Sequence, residues 1–143
     1  MRLRSIFLAI PLLLMVAQAS HATSATGVWF THKAKAKVKI TRCGAGLCGQ
    51  IVWLRAAYDS RGRPVLDERN RNKQMRGRPV LGMRTFTALQ PSGPGRWAGL
   101  IYNPEDGRTY RANLMMTSSG AIRVEGCRVK GAACGARSWV RAQ

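Results

Sequence analysis

Lys33-Ala34-Lys35-Ala36-Lys37-Val38-Lys39-Ile40 alternates cationic and apolar residues without a break. Wound as a helix, its lysines would scatter around the circumference. Extended, they line one face and leave Ala34, Ala36, Val38 and Ile40 on the other. The stretch therefore predicts a strand, with the lysines as the wet side of a sheet. Gly44-Ala45-Gly46-Leu47 turns the chain, and Cys48 to Leu54 returns. With Cys43 set opposite Cys48, Ile40 faces Ile51 and Val38 faces Trp53, which puts the apolar residues on one face.

Working outward, Met83 to Leu89, Arg96 to Tyr102, Thr109 to Thr117, Ala121 to Gly126 and Arg137 to Arg141 carry strand patterning. In Thr109 to Thr117, the side chains of Tyr110, Ala112, Leu114 and Met116 share a face. Asn103-Pro104-Glu105-Asp106-Gly107 supplies a proline that presets a turn and a glycine that accepts positive φ, and Ser118-Ser119-Gly120 makes a similar connection. Arg55 to Pro79 is the longest irregular stretch, of the kind that is often functional or mobile. About eight short antiparallel strands and no amphipathic helix point to an all-β barrel or sandwich.

The amino end sets the expected compartment. Arg2 and Arg4 precede an apolar run from Ile6 to Val16, and Ala17-Gln18-Ala19 offers a small-x-small cleavage site. This is the pattern of a secretory signal peptide over residues 1–19, with a second candidate cut after Ala22. The run is too short for a membrane anchor, and no later segment suffices. Residues 20–143 then form a single domain. The chain has 24 Lys+Arg and 6 Asp+Glu. Losing Arg2 and Arg4 leaves 22 minus 6, or +16. That excess favours anionic partners, so an alternative to a small ligand is a cationic face gripping the acidic lipid head groups or polysaccharide of an anionic envelope surface, although a solvated basic surface needs no partner at all. No two Lys/Arg residues are adjacent, unlike a basic nucleic-acid arm, so no specific nucleic acid is expected.

Cys43, Cys48, Cys127 and Cys134 all follow the leader, and in an oxidising compartment they predict two disulfides. Loop entropy favours a long 48–127 bridge at ~4.5 kcal/mol over ~2–2.5 for the local 43–48 and 127–134 bridges. The hairpin geometry favours the local pair. A four-thiolate zinc site would need an unusually wide second spacing and reduced thiols, so no metal is expected.

Several motifs share one origin. Gly27-x-Trp29 opens the mature domain and Trp139-x-Arg141 closes it. Between them lie Leu47-Cys48-Gly49-x-Ile51-Val52, Asp67-x-x-Asn70, Arg76-x-Arg78-Pro79-x-x-Gly82 and Trp97-x-Gly99-x-Ile101-Tyr102-x-Pro104-x-Asp106-Gly107-x-Thr109-Tyr110. Together these resemble the exported bacterial family called domain of unknown function 2147, over nearly the whole mature chain. The resemblance implies a small lipocalin-like β-barrel of the envelope, with ligand binding by analogy. It also implies that Gly27, Trp29, Trp139 and Arg141 close one barrel end, with Arg141 over Trp29 in a cation–π contact. The chain departs from the family at Ser138, where a threonine is usual, and in its cysteine-rich Cys127 to Cys134 segment.

For chemistry the sequence offers little. His32, or His21 if retained, lacks a nucleophile to activate, so no catalytic centre is expected. Asp67 is expected to accept backbone or arginine hydrogen bonds and pin the long loop over a barrel end, whereas a paired-carboxylate hydrolase would have to join it to Asp59 or Glu68. Nothing calls for a cofactor, and nothing specifies an oligomeric state. Binding has better material. Met83, Trp97, Gly99, Ile101, Tyr110, Ala112, Leu114 and Met116 are candidate interior residues, with Gly99 and Ala112 leaving space, unless the core is filled. Asp67, Asn70, Arg76, Arg78, Arg84, Trp97, Tyr102 and Tyr110 are the candidate ligand residues, suited to a small amphipathic or anionic molecule in or at the mouth of the barrel. Arginine contacts to phosphate or carboxylate supply the reason.

Overall fold

The computed structural model describes residues 24–143, so the expected signal peptide and His21 lie outside the described residues. Eight strands run up and down: β1 (Gly27–Phe30), β2 (Ala36–Cys43), β3 (Gly46–Leu54), β4 (Arg84–Gly93), β5 (Arg96–Asn103), β6 (Arg108–Met116), β7 (Ile122–Arg128) and β8 (Cys134–Arg141). Each pairs antiparallel with the next, and β8 returns to β1 to close the barrel. Closure removes the free sheet edges that an open meander would expose. Among the described residues no helix is long and apolar enough to cross a membrane.

The lysine alternation is interrupted where the chain must turn from β1 into β2. Lys33 (φ 57°) and Ala34 (φ 48°) adopt left-handed backbone in a short 3₁₀ turn, His32–Ala34. The Thr31 hydroxyl accepts from the Ala36 amide at 3.1 Å and secures this corner. Only Lys37 and Lys39 therefore stand on the strand; Lys35 reaches away to Glu105 at 2.6 Å.

The hairpin register also differs from the expected one. Cys43 lies opposite Gly46, Thr41 opposite Cys48, Ile40 opposite Gly49 and Val38 opposite Ile51. The Cys43–Cys48 disulfide thus bridges diagonally, with 5.8 Å between Cα atoms, and Cys127–Cys134 joins directly opposed residues of β7 and β8. Both bridges are the local ones. Next to Ile51 the ladder jumps, so that Lys37 faces Trp53 and Val52 is the extra residue of a bulge. A bulge inverts the facing of the residues beyond it. Trp53 consequently points out of the barrel instead of joining Val38 on the apolar face.

Trp29, Val38, Ile40, Leu47, Ile51, Phe86, Leu89, Leu114, Ile122 and Trp139 fill the interior. Two glycines are seats for large neighbours. A Cβ on Gly49 would strike the Phe86 ring, and one on Gly99 would lie 2.8 Å from Leu89 Cδ2. The space expected at Gly99 is therefore occupied by Leu89.

At the first mouth the amino end of β1 meets the end of β8. Arg141 places its guanidinium carbon 4.2 Å from the Trp29 ring centroid. It donates to the Ser24 carbonyl at 2.7 Å and the Thr26 carbonyl at 3.0 Å. The Trp29 indole N–H donates to the Ala25 carbonyl at 2.8 Å. Gly27 sits at φ 129°, where any Cβ would collide with Arg141, so this guanidinium position requires glycine there.

Candidate functional site

The second mouth is covered by the β3–β4 segment, residues 55–83. It is pinned by backbone hydrogen bonds: Val80 N–H to the Val65 carbonyl (3.0 Å), Asp67 N–H to the Arg78 carbonyl (3.0 Å) and Gly82 N–H to the Ile51 carbonyl (2.8 Å). Its centre is Asp67, a carboxylate with no exposed surface. A buried charge is tolerable only when its oxygens are occupied. Here Oδ2 accepts from Arg78 Nε (2.9 Å) and Asn70 Nδ2 (2.7 Å), and Oδ1 accepts from the Tyr102 hydroxyl (2.6 Å). Arg78 also lies over the Tyr102 ring, 5.3 Å from its centroid. Burial and then the Asp67 carboxylate push the Tyr102 phenol up to about 12, so it remains a donor at neutral pH.

Neighbouring contacts extend the cluster. Arg76 Nε donates to the Asn70 carbonyl at 2.7 Å. Gly107, at φ 68° in the β5–β6 turn, packs so closely on the Arg69 carbonyl that no side chain fits. Tyr110 donates to Asp106 in that turn, and this hydrogen bond raises the pKa of its phenol.

Beside the cluster, the barrel wall opens. The β4–β5 ladder holds only at Gln90–Ala98, Pro91–Trp97 and Gly93–Arg96. β4 bends at Ala88, whose φ of 58° is rare for a residue with a Cβ, and its pairing to β3 shifts register twice. From there to Arg84, β4 has no register partner on β5. The result is an open groove of about 500 Å³, lined by Arg78, Arg84, Thr85, Thr87, Tyr102 and Thr109 among others, with the exposed Leu100 contributing apolar surface. Two guanidiniums, several hydroxyls and an apolar wall suit a molecule with an anionic head and a short apolar body.

Of the sequence-expected ligand residues, the structure brings Asp67, Asn70, Arg76, Arg78 and Tyr102 together and puts Arg84 on the groove. Tyr110 lies at the same mouth but is engaged by Asp106. Trp97 is elsewhere: it lines a smaller pocket of about 210 Å³ at the Trp29 mouth, with Arg42 and Arg96. Its strand runs the full barrel height, so residues five apart on β5 reach opposite ends. Thr85, Thr87, Leu100 and Thr109 were missed, and the only available signal was the polar alternation in Arg84-Thr85-Phe86-Thr87. Asp67 does not meet Asp59, which pairs with Arg63 at 2.7 Å. Among the described residues no group of three or more His, Cys, Asp or Glu side chains is placed to hold a metal.

Residues 27–141 match the family described as an uncharacterized protein conserved in bacteria, domain of unknown function 2147. The chain belongs to that family. Within this 2147 family barrel, the matched range runs from Gly27 to Arg141, the two residues that meet at the closed mouth. A solved structure, HP1028 from the human pathogen Helicobacter pylori, described as belonging to the lipocalin family, is similar in fold: TM-score 0.69 at 20% identity over 84% of each chain. No curated protein matches the chain. The 2147 family chain is thus a lipocalin-like barrel, and its two disulfides suit an oxidising, extracytoplasmic compartment.

Proposed function

We propose that this chain is an exported, non-catalytic binding protein that takes a small anionic amphiphile into the groove between β4 and β5. On this reading the leader is removed after Ala19 or Ala22, and the remaining single domain works in the periplasm or outside the cell. The supporting observation is the pairing of Arg78 and Arg84 along one hydroxyl-lined, partly apolar groove. Arg78 is pre-oriented, because Asp67 holds its Nε and leaves the rest of the guanidinium unused by any other hydrogen bond in the cluster. Pre-orientation lowers the entropy cost of gripping a carboxylate or phosphate.

Native mass spectrometry of protein recovered from its host tests the reading first: a co-purifying small acid is expected. Titration with a fluorescent fatty-acid probe tests the site. Arg84→Glu should weaken that binding about tenfold or more, a difference near 1.4 kcal/mol, and Arg84→Lys much less. About 0.5 M salt should weaken the head-group contribution and spare the apolar one. Absence of any co-purifying mass together with probe binding indifferent to Arg84→Glu would overturn the assignment.

A further inference from the structure

The outer wall of β8, β1, β2 and β3 carries a row of apolar side chains broken by a single lysine, all in register. Val140 faces Phe30, Phe30 faces Lys37, and Lys37 faces Trp53. Val140 is 55% exposed, Val52 40% and Trp53 38%. Single exposed apolar residues need no explanation, but apolar side chains from three strands gathered in register around one lysine do. The Val52 bulge sharpens the point. Without it Trp53 would continue the inward face of Ile51, and the ladder is interrupted at the one place that turns an indole to solvent.

We infer that this wall docks on an anionic lipid bilayer. The Lys37 ammonium sits between the two aromatic rings, 4.7 Å from the Phe30 centroid and 5.5 Å from that of Trp53, whose rings meet edge to face at 6.0 Å. Lys39 stands next along the same strand face. Arg55 joins this corner by donating to the Lys33 carbonyl at 2.7 Å. Among the described residues, the carboxylate paired with this cluster is Glu105, which Lys35 neutralises. Cations interleaved with aromatic and aliphatic groups match the headgroup region of a membrane, where the indole takes the boundary and the valines enter the acyl edge. A polysaccharide or nucleic acid would gain nothing from Val52 and Val140. A second copy docking by a two-fold contact would bring Lys37 and Lys39 against their own counterparts.

Protein recovered from its host, with its processed amino terminus verified by mass, is sedimented with vesicles of mixed phosphatidylglycerol and phosphatidylcholine. Binding is expected there and not to pure phosphatidylcholine vesicles, with a blue shift of tryptophan emission. Trp53→Ala and Val140→Ser should each reduce binding about tenfold, and Lys37→Glu at least as much. Val129→Ser, an exposed change in the β7–β8 turn, should leave it unchanged. Circular dichroism of each variant confirms folding. The inference is overturned by absent vesicle binding, by binding that Trp53→Ala and Val140→Ser both leave intact, by equal binding to soluble dextran sulfate, or by a concentration-dependent dimer that the same substitutions dissolve.

Discussion

At one mouth Trp29 gives its whole surface to an apolar interior and is roofed by the Arg141 guanidinium; at the other, a 29-residue segment is held down through the buried Asp67 carboxylate. The first closure rests on a large area removed from water, shared with strands all around the barrel. The second rests on a few directional bonds from Arg78, Asn70 and Tyr102. Area-based closure fails only with the barrel itself. A bonded clasp fails locally, since the segment it holds contributes Val80 and Met83 to the core but no barrel strand. The groove adjoins the clasp, so the mouth that can open alone is the one beside the proposed ligand.

The largest effect that would break this contrast is expected at Trp29. Trp29→Ala should cost about 3–5 kcal/mol of global stability by urea denaturation, through lost burial and an unfilled cavity. Asp67→Asn should cost less, about 2–3 kcal/mol, because the Arg78 partner is partly exposed and solvent replaces some of its bond. Its signature is local: hydrogen exchange should accelerate at the Asp67, Asn70 and Val80 amides and stay slow in β1 and β2. Uniform acceleration across the barrel would erase the distinction between the mouths.

Alkaline pH sharpens it further. Tyr102 titrates at about 12 in the folded chain against 10.0 unfolded, chiefly from burial and then from Asp67. The folded state therefore retains a proton that the unfolded state releases. The stabilisation is fully present below pH 10.0 and is lost as pH rises through about 12. Phenolate absorbance should show this late ionisation, and Asp67→Asn should move it part of the way down. Smallest of all, Lys35→Ala should change stability by no more than ~0.5 kcal/mol in thermal melts, since both partners of the Lys35–Glu105 pair are exposed.

The strand pattern, the Asn103–Gly107 turn and the local disulfides were legible because each is written in neighbouring residues. Trp29 and Arg141 were paired through a family resemblance, and the collision of a Cβ at Gly27 with Arg141 shows why glycine opens that motif. The Val52 bulge was not legible. One inserted residue leaves the alternation on either side intact while reversing the facing of every residue after it, so Trp53 looked like core. Lys33 and Lys35 looked like strand because their corner is imposed by the route from β1 to β2, not by their own side chains. Gly99 looked like open space because its occupant, Leu89, comes from another strand. That Asp67 takes an arginine partner and pins the long loop over a barrel end was legible, as the Arg78 bond shows, whereas the Tyr102 hydroxyl as its third partner emerges only when β5 is laid beside the long segment.

The seam between β1 and β8 is joined at Trp29–Arg141 and Phe30–Val140, and neither disulfide crosses it. Arg141 grips carbonyls 115 and 117 residues upstream. A polypeptide emerging amino end first must hold its indole unroofed until those distant atoms arrive, so shutting the cylinder is a late folding step with a heavy entropic toll. Thiol oxidation can staple the hairpins beforehand, but it cannot hasten that last junction.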